Sequence, residues 1–299
     1  MSETMHVLVT GGAGQIGLEL GRLNCGRALQ LHFPSRDRLD VANALAVRAA
    51  FRDVPFSAVI NSGAYTAVDR AETDAGEAFR ANALGPAVLA EVTAEAGIPL
   101  IQISTDYVFN GRSTRPYTEE DPTDPLGVYG ASKLAGELAV RAINPRHVIL
   151  RTAWVLSSHR SNFLKTMLRL ANERSELRVV DDQMGSPTSA ADIASVLRTV
   201  VQRLIADPIA PFGTYHFVNK GVASWADLAE AIVDAKSVGG SPVKVIRIPS
   251  ADYPTPAMRP ANSVLDTTKI TRDYGVSPRV WREAVSDIIG ELTGPEKHV

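Results

Sequence analysis

The sequence predicts an α/β fold: a Rossmann-type, doubly wound parallel sheet with a smaller C-terminal substrate-binding lobe. Three observations carry that prediction. Short β-branched runs alternate with helix-length amphipathic segments through the first half of the chain. A glycine-rich turn follows the first run. An apolar run ending in hydroxyls, Ile101-Gln-Ile-Ser104-Thr105-Asp106, precedes a Tyr-x-x-x-Lys pair, Tyr129 and Lys133. Strands separated by helices of about ten or more residues imply βαβ crossovers, and therefore parallel pairing.

Taken in order, His6–Thr10 reads as a strand, and the glycine turn leads into a helix through Leu23. Ala28–Phe33 is a second strand, Val41–Phe51 a helix, and Ser57–Asn61 a third strand. Asp74–Ala96 has the apolar spacing of one long amphipathic helix, and Ile98–Ile103 is a fourth strand. A helix carrying Tyr129 leads to a fifth strand at His147–Arg151. Beyond it the alternation loosens. Asn162–Asn172 and Ala190–Ile205 look helical; Leu177–Val180, Thr214–Val218 and Val243–Ile248 look like strands. Ser224–Lys236 opens with Ser224 and, three residues on, Asp227, a short-armed version of a capping box. Six prolines from Pro242 to Pro278 suggest loops that cover something rather than a second sheet core. The expected organisation is a dinucleotide-binding domain over 1–155, to which later segments return, and a mainly substrate-binding lobe over 156–299.

Bulk properties narrow the class. The 299 residues carry a net charge of −2 and are 45% hydrophobic, which gives no sign of a nucleic-acid surface. The longest apolar runs are of strand length, so no membrane span is expected. Met1-Ser-Glu-Thr-Met-His has neither a basic n-region nor a long apolar h-region, so a cytoplasmic protein is expected. Cys25 is the only cysteine, which excludes an intrachain disulfide and a cysteine-based metal cluster.

Thr10-Gly11-Gly12-Ala13-Gly14-Gln15-Ile16-Gly17 satisfies both G-x-G-x-x-G and G-x-x-G-x-x-G. Such a turn brings backbone close to a pyrophosphate, and the helix behind it offers unpaired N–H groups. A tight turn without a ligand is the plainer reading, but the position between a first strand and a helix favours phosphate binding. After the second strand the chain reads Phe33-Pro34-Ser35-Arg36-Asp37-Arg38. Ser35 and Arg36 suit a 2′-phosphate and favour NADPH, while Asp37 keeps NADH open. Asp40 and Val41 would flank the adenine; alternatively they are a helix N-cap and its first apolar contact.

Carbonyl reduction needs a hydride donor and a proton donor. A tyrosine can give the proton, although its ordinary pKa is about 10. A lysine one helical turn away would favour the tyrosinate left behind. These considerations cast Tyr129 as acid, Lys133 as its electrostatic partner and a ribose ligand, and Thr105 at a strand end as the group orienting the carbonyl. Ser104 is the rival for Thr105's role. Tyr-x-x-x-Lys alone is common on solvated helix faces, so the weight rests on the three features together.

Those features resemble the extended short-chain dehydrogenase/reductases. More narrowly, Ser104-Thr-Asp-Tyr-Val-Phe-Asn-Gly111 is similar to the S-T-D-Y-V-F-[DN]-G signature of the dTDP-4-dehydrorhamnose reductases. The same resemblance runs through Asn61 to Glu72, Asp182-Gln183-Met-Gly185-Ser-Pro187-Thr188 and Arg259-Pro260-Ala-Asn-Ser263-Val-Leu265, covering about residues 6–292. It implies reduction of the C4 ketone of dTDP-4-dehydro-6-deoxy-L-mannose to dTDP-L-rhamnose, with a nucleotide sugar as substrate. It also implies that Ala64, Tyr65 and Thr66 line the cofactor and substrate cleft. Asp106, Tyr107 and Trp154 would contact the sugar or its surroundings, and Asn162, Arg259 and Ser263 the nucleotide diphosphate. Each has a plainer alternative: Trp154 as core, Gln183 to Thr188 as a turn, Arg259 as a loop salt bridge.

Some members of that family bind Mg²⁺ through glutamates at a dimer contact, which leaves a homodimer open here. Only Glu19 and Glu291 match, and Ala191 stands where another glutamate is expected. Two carboxylates are too few to assign a metal. A nucleotide-sugar dehydratase would carry Asp-Glu after the threonine, whereas Tyr107 follows Asp106 here. An epimerase, a reductase of another nucleotide-linked 4-ketosugar and a non-catalytic regulatory subunit of the same fold are the remaining alternatives.

Overall fold

The structure, a computed structural model, describes residues 4–26, 28–236 and 243–294. Pro242 and the outermost residues of the two expected domains lie outside the described residues. The strands are β1 (Met5–Thr10), β2 (Leu29–His32), β3 (Phe56–Asn61), β4 (Leu100–Thr105), β5 (His147–Thr152), β6 (Val155–Leu156), β7 (Glu176–Val180), β8 (Met184–Gly185), β9 (Thr188–Ser189), β10 (Gly213–His216), β11 (Ala223–Ser224) and β12 (Lys244–Ile248). The α-helices are α1 (Gln15–Arg22), α2 (Ala44–Asp53), α3 (Val68–Ala71), α4 (Ala75–Phe79), α5 (Gly85–Glu95), α6 (Val128–Ile143), α7 (Phe163–Glu173), α8 (Ala190–Ala206), α9 (Trp225–Lys236), α10 (Thr268–Tyr274) and α11 (Trp281–Thr293).

Six strands form one parallel sheet in the order β10-β5-β4-β3-β1-β2. Successive strand residues point to opposite faces, and the two cores follow that parity. Val7, Val9, Ala58, Ile60, Ile101, Ile103, Val148 and Leu150 pack with α1, α8 and α10 residues such as Leu20, Leu197 and Ile270. Leu8, Val59, Leu100 and Ile149 pack on the other face with Val47 of α2, Leu89 of α5 and Val140 of α6. The sheet is buried on both faces, as parallel sheets are. β10 comes from the C-terminal half and joins β5 at the edge, so the chain returns to its first sheet.

A further core gathers α7, α9 and α11 around Leu164, Leu228, Trp281 and Ile288, beside the parallel pair β7–β12. The capping box at its edge forms as the spacing predicts. Ser224 N–H donates to Asp227 Oδ2 at 2.8 Å, and Asp227 N–H donates to Ser224 Oγ at 3.0 Å.

Three expectations need correction. The segment 74–96 is not one regular helix: α4 and α5 flank a π-helical turn at Arg80–Leu84. Pro86, in the first turn of α5, has no N–H for the carbonyl four residues back, which is that of Asn82. The turn widens there. The cap of α2 is Asn43, whose side chain accepts from Leu45 N and Ala46 N, so Asp40 is left outside the helix. Helix α11 has no counterpart among the sequence-predicted elements.

Candidate active site

The sheet's topology makes the site. β1 connects to β2 on one side and the chain then crosses to β3 on the other, so a crevice opens at the carboxyl ends of β1 and β3. A side-chain ladder ties these ends together. Thr10 Oγ1 donates to Asn61 Oδ1 at 2.5 Å, Asn61 Nδ2 to Gln102 Oε1 at 2.6 Å, and Gln102 Nε2 to Ile103 O at 2.8 Å. All three side chains are buried. A cleft of about 780 Å³ lies over this floor.

The glycine-rich turn forms one wall. Gly11 has φ +71°, and a Cβ there would stand 2.4 Å from Gly63 N; a Cβ on Gly17 would stand 2.4 Å from Gly11 O. Both positions therefore require glycine. α1 begins without a side-chain cap, leaving its first N–H groups for an anion. Gly11, Gly14, Gln15, Ile16, Ser35, Arg36, Asp40, Val41, Ala64 and Thr66 all line the cleft. Gly17 does not; it packs the turn. Arg36 is exposed and lies 3.8 Å from Glu77, and Asp40 is paired with Arg80.

Thr105, Asp106, Tyr107, Tyr129, Lys133, Trp154 and Asn162 line the same cleft. Thr105 ends β4, and its Oγ1 donates to Asp106 Oδ1 at 2.9 Å while accepting from Tyr107 N at 3.2 Å. Burial raises Asp106 to about 6, with Ser263 and Thr105 hydrogen bonds opposing the shift. Tyr129 lies in the first turn of α6. Burial raises its phenol to about 12; the Thr105 hydroxyl works against this and the Asp106 charge adds to it. Spacing alone had suggested that Lys133 would hold the phenol below its ordinary value. Instead burial dominates, and Lys133 Nζ donates to Ile103 O at 2.7 Å. Burial also lowers Lys133 to about 8, with Glu137 opposing. The residues Ser104, Asp106 and Thr152 line the cleft, and their Oγ, Oδ2 and Oγ1 atoms are buried without a hydrogen-bond partner. A cleft of this size, walled by a turn that only glycine fits and by an uncapped helix N-terminus, suits a bound dinucleotide and a polar substrate.

Besides Gly17, three expected residues do not line the cleft. Tyr65 turns its phenol to Asp74 Oδ2 at 3.1 Å, while its backbone is held by Asn82 at 2.8 and 3.0 Å. Arg259 pairs with Asp69 at 2.8 Å, with its guanidinium 5.9 Å from the Tyr107 ring centroid. Ser263 is buried beside Asp106 and donates to Met184 O at 3.3 Å. Other lining residues were not singled out from sequence. Trp225 stacks on Trp154 with centroids 3.6 Å apart, and Arg160 donates to Ala13 O at 2.6 Å. Helical apolar spacing was the only signal for Trp225, and Arg160 left none.

The family's Mg²⁺ finds a poor fit. Glu19 accepts from Ser157 Oγ at 2.8 Å, and Glu19 and Glu291 both turn to the same Arg22 guanidinium. Among the described residues no group of three or more His, Cys, Asp or Glu side chains is placed to hold a metal. Nor is any described helix long and apolar enough to cross a membrane.

The Tyr129 phenol thus lies one helical turn from the buried Lys133 amine, in the same cleft as the glycine-rich turn. The fold and the cleft define a Rossmann-type oxidoreductase of the short-chain dehydrogenase/reductase class. A family model described as the RmlD substrate binding domain matches residues 5–293. A dTDP-4-dehydrorhamnose reductase of Sinorhizobium fredii is 42% identical over 290 residues, covering 96% of this chain and 98% of that protein. The crystal structure of a dTDP-4-dehydrorhamnose reductase from Clostridium acetobutylicum superposes with TM-score 0.90 at 37% identity, covering 96% of this chain and 99% of that one. The enzyme of that name from Bacillus anthracis, solved in complex with NADP, gives TM-score 0.89 at 32% identity over 97% of this chain and 100% of the other. The chain belongs to the dTDP-4-dehydrorhamnose reductase family.

Proposed function

We propose that this cleft reduces the C4 ketone of dTDP-4-dehydro-6-deoxy-L-mannose to dTDP-L-rhamnose, preferring NADPH to NADH, with Tyr129 as proton donor. The observation that carries the reading is that Thr105 at the end of β4, Tyr129 and Lys133 line one cleft with the glycine-rich turn. A reduced nicotinamide supplies the hydride when bound. As the hydride reaches C4, the C=O π pair moves onto oxygen, and that oxygen takes the proton from Tyr129 Oη. Lys133, at about 8, is charged at neutral pH and offsets the tyrosinate left behind. The Thr105 hydroxyl, which donates to Asp106, rotates to meet the carbonyl.

In this reading residues 1–155 supply most of the dinucleotide site. Gly11, Gly14, Gln15 and Ile16 hold the pyrophosphate, Ser35 and Arg36 the 2′-phosphate, and Asp40, Val41 and 64–66 the flanking walls. Residues 156–299, with Asp106, Tyr107 and Trp154, serve mainly the nucleotide sugar. Asn162, Arg259 and Ser263 act on its diphosphate side, the last two through Tyr107 and Asp106. The finer assignment of substrate is supported by the names of the relatives and by the S-T-D-Y-V-F run.

The test is oxidation of NADPH and of NADH, in separate assays, with enzymatically generated dTDP-4-dehydro-L-rhamnose. Rapid oxidation with dTDP-L-rhamnose as product, faster with NADPH, supports the assignments of substrate and cofactor. Turnover of a different 4-ketosugar alone overturns the substrate, and cofactor binding without turnover of any moves the chain to a regulatory role.

A further inference from the structure

Four cationic side chains line the cleft: Arg36, Arg80, Lys133 and Arg160. Three are engaged. Arg36 lies near Glu77, Arg80 is paired with Asp40, and Lys133 is buried and bonded to Ile103 O. Arg160 has no carboxylate partner among the described residues; its guanidinium meets only a neutral carbonyl, Ala13 O, at 2.6 Å. That carbonyl belongs to the glycine-rich turn.

The segment bearing Arg160 is fastened over this turn. Ser157 Oγ donates to Glu19 Oε1 at 2.8 Å, and Asn162 Nδ2 donates to Gln15 Oε1 at 2.9 Å. Asn162 also closes the loop on itself through Ser157 O at 2.7 Å, and Lys165 Nζ holds Ser158 O at 2.9 Å. Loop and turn are thus pre-positioned, with Arg160 at the exposed rim between them. Its backbone is also unusual. Arg160 has φ +58°, one of two non-glycine residues with positive φ among the described residues, and the other, Trp154, lines the same cleft. A left-handed conformation is unfavourable for a side-chain-bearing residue, and such outliers gather at ligand clamps. Glycine would sit there without strain, so the arginine is the feature that calls for an explanation.

We propose that Arg160 is a clamp for the cofactor's pyrophosphate: its guanidinium leaves Ala13 O and pairs with the phosphate oxygens held on the glycine-rich turn. The helix N-terminus and the arginine then face the same anion from two sides. A guanidinium forms paired, charge-assisted hydrogen bonds to phosphate, whereas with a carbonyl it forms one bond to a neutral group. The proposal rests on the reading that a nicotinamide dinucleotide occupies this turn. Because the pyrophosphate is common to both cofactors, Arg160 contributes to affinity and not to the choice between NADPH and NADH.

Calorimetric titration of NADPH, NADH and dTDP into the full-length protein and its Arg160→Gly, Arg160→Gln and Arg160→Lys variants tests this. Loss of the guanidinium should weaken both cofactors by about tenfold or more, by a similar factor for each, with a shallower salt dependence. Lysine should restore part of the loss, and dTDP affinity should stay unchanged. Unliganded Arg160→Gly should melt no lower than the parent, since glycine relieves the left-handed strain. Unchanged cofactor affinity in Arg160→Gly and Arg160→Gln overturns the clamp while leaving the dinucleotide reading intact. Weakening of dTDP alone assigns the arginine to the substrate's diphosphate and overturns the proposal as stated. A parent protein that binds neither cofactor removes the dinucleotide reading, and the clamp with it.

Discussion

Glu137 lies one turn beyond Lys133 on α6, fully buried, and its carboxylate resists the loss of the proton that burial draws from the Lys133 ammonium. Glu137 is itself neutralised by Arg151, which donates to both of its oxygens at 2.9 and 2.7 Å, and Arg141 adds a third bond at 2.8 Å. The charge at the proposed site therefore depends on a buried ion-pair network beneath it.

Glu137→Gln should act on two measurements at once. Lys133 would fall below about 8, so the alkaline limb of the kcat/KM profile should move to lower pH. Stability should fall by about 3–5 kcal/mol, because the buried Arg151 loses its partner charge. A pH–rate profile alongside urea unfolding separates the two. An unmoved alkaline limb in a folded variant would show that Lys133 is not the group titrating there.

Tyr129→Phe removes the proton donor and leaves the ring. Its turnover should drop by about 10²–10⁴-fold, the usual range for losing a positioned acid, with NADPH affinity kept within a few-fold. Single-turnover rates and cofactor titration on the same preparation decide the matter. A variant that retains most of its rate rules out the phenol as acid.

Asp106 carries a folded-state penalty. Below its ordinary value of 3.8 the carboxyl is protonated whether the chain is folded or not. Between 3.8 and about 6 the folded chain keeps a proton that the unfolded chain releases, so stability falls as pH rises. Above about 6 the whole cost is present, up to about 3 kcal/mol. Asp106→Asn should therefore be the more stable protein at pH 7, and the gain should shrink toward zero near pH 4. Urea midpoints at both values check this, and a gain that persists at pH 4 contradicts it.

Much of this was legible in sequence because it depends on local spacing. The glycine turn, Thr105 at a strand end and the Tyr129–Lys133 pair are each read within one or two elements, and strand parity alone sorts Val7 and Val9 from Leu8. What was missed depends on folding. Trp225 meets Trp154, and Arg160 meets Ala13, only once helices and loops far apart in sequence close over the crevice. The direction of the Tyr129 shift depends on burial, which no spacing reports. Helix α11 was readable in principle: Trp281, Val285, Ile288 and Ile289 fall on one face and are all buried.

The π turn supplies the last prediction. By widening the helix at Arg80–Leu84, it places Asn82 in the interior, where the side chain makes three bonds. Asn82 Oδ1 accepts from Tyr65 N at 2.8 Å, and Nδ2 donates to Tyr65 O at 3.0 Å and to Ser132 Oγ at 2.9 Å. One amide thus pins the cleft wall at Ala64–Thr66 to α6, the helix that carries Tyr129. In Asn82→Ala the Tyr65 backbone N–H and C=O lose that partner, and leaving such groups unpaired costs about 1–3 kcal/mol each. Stability should fall by about 2–6 kcal/mol. The wall should loosen as well, raising the KM for the cofactor more than it lowers kcat, because the amide touches no reacting atom. Hydrogen exchange at the Tyr65 amide, measured with steady-state kinetics, provides the check: unchanged protection there would mean that something other than Asn82 holds the wall.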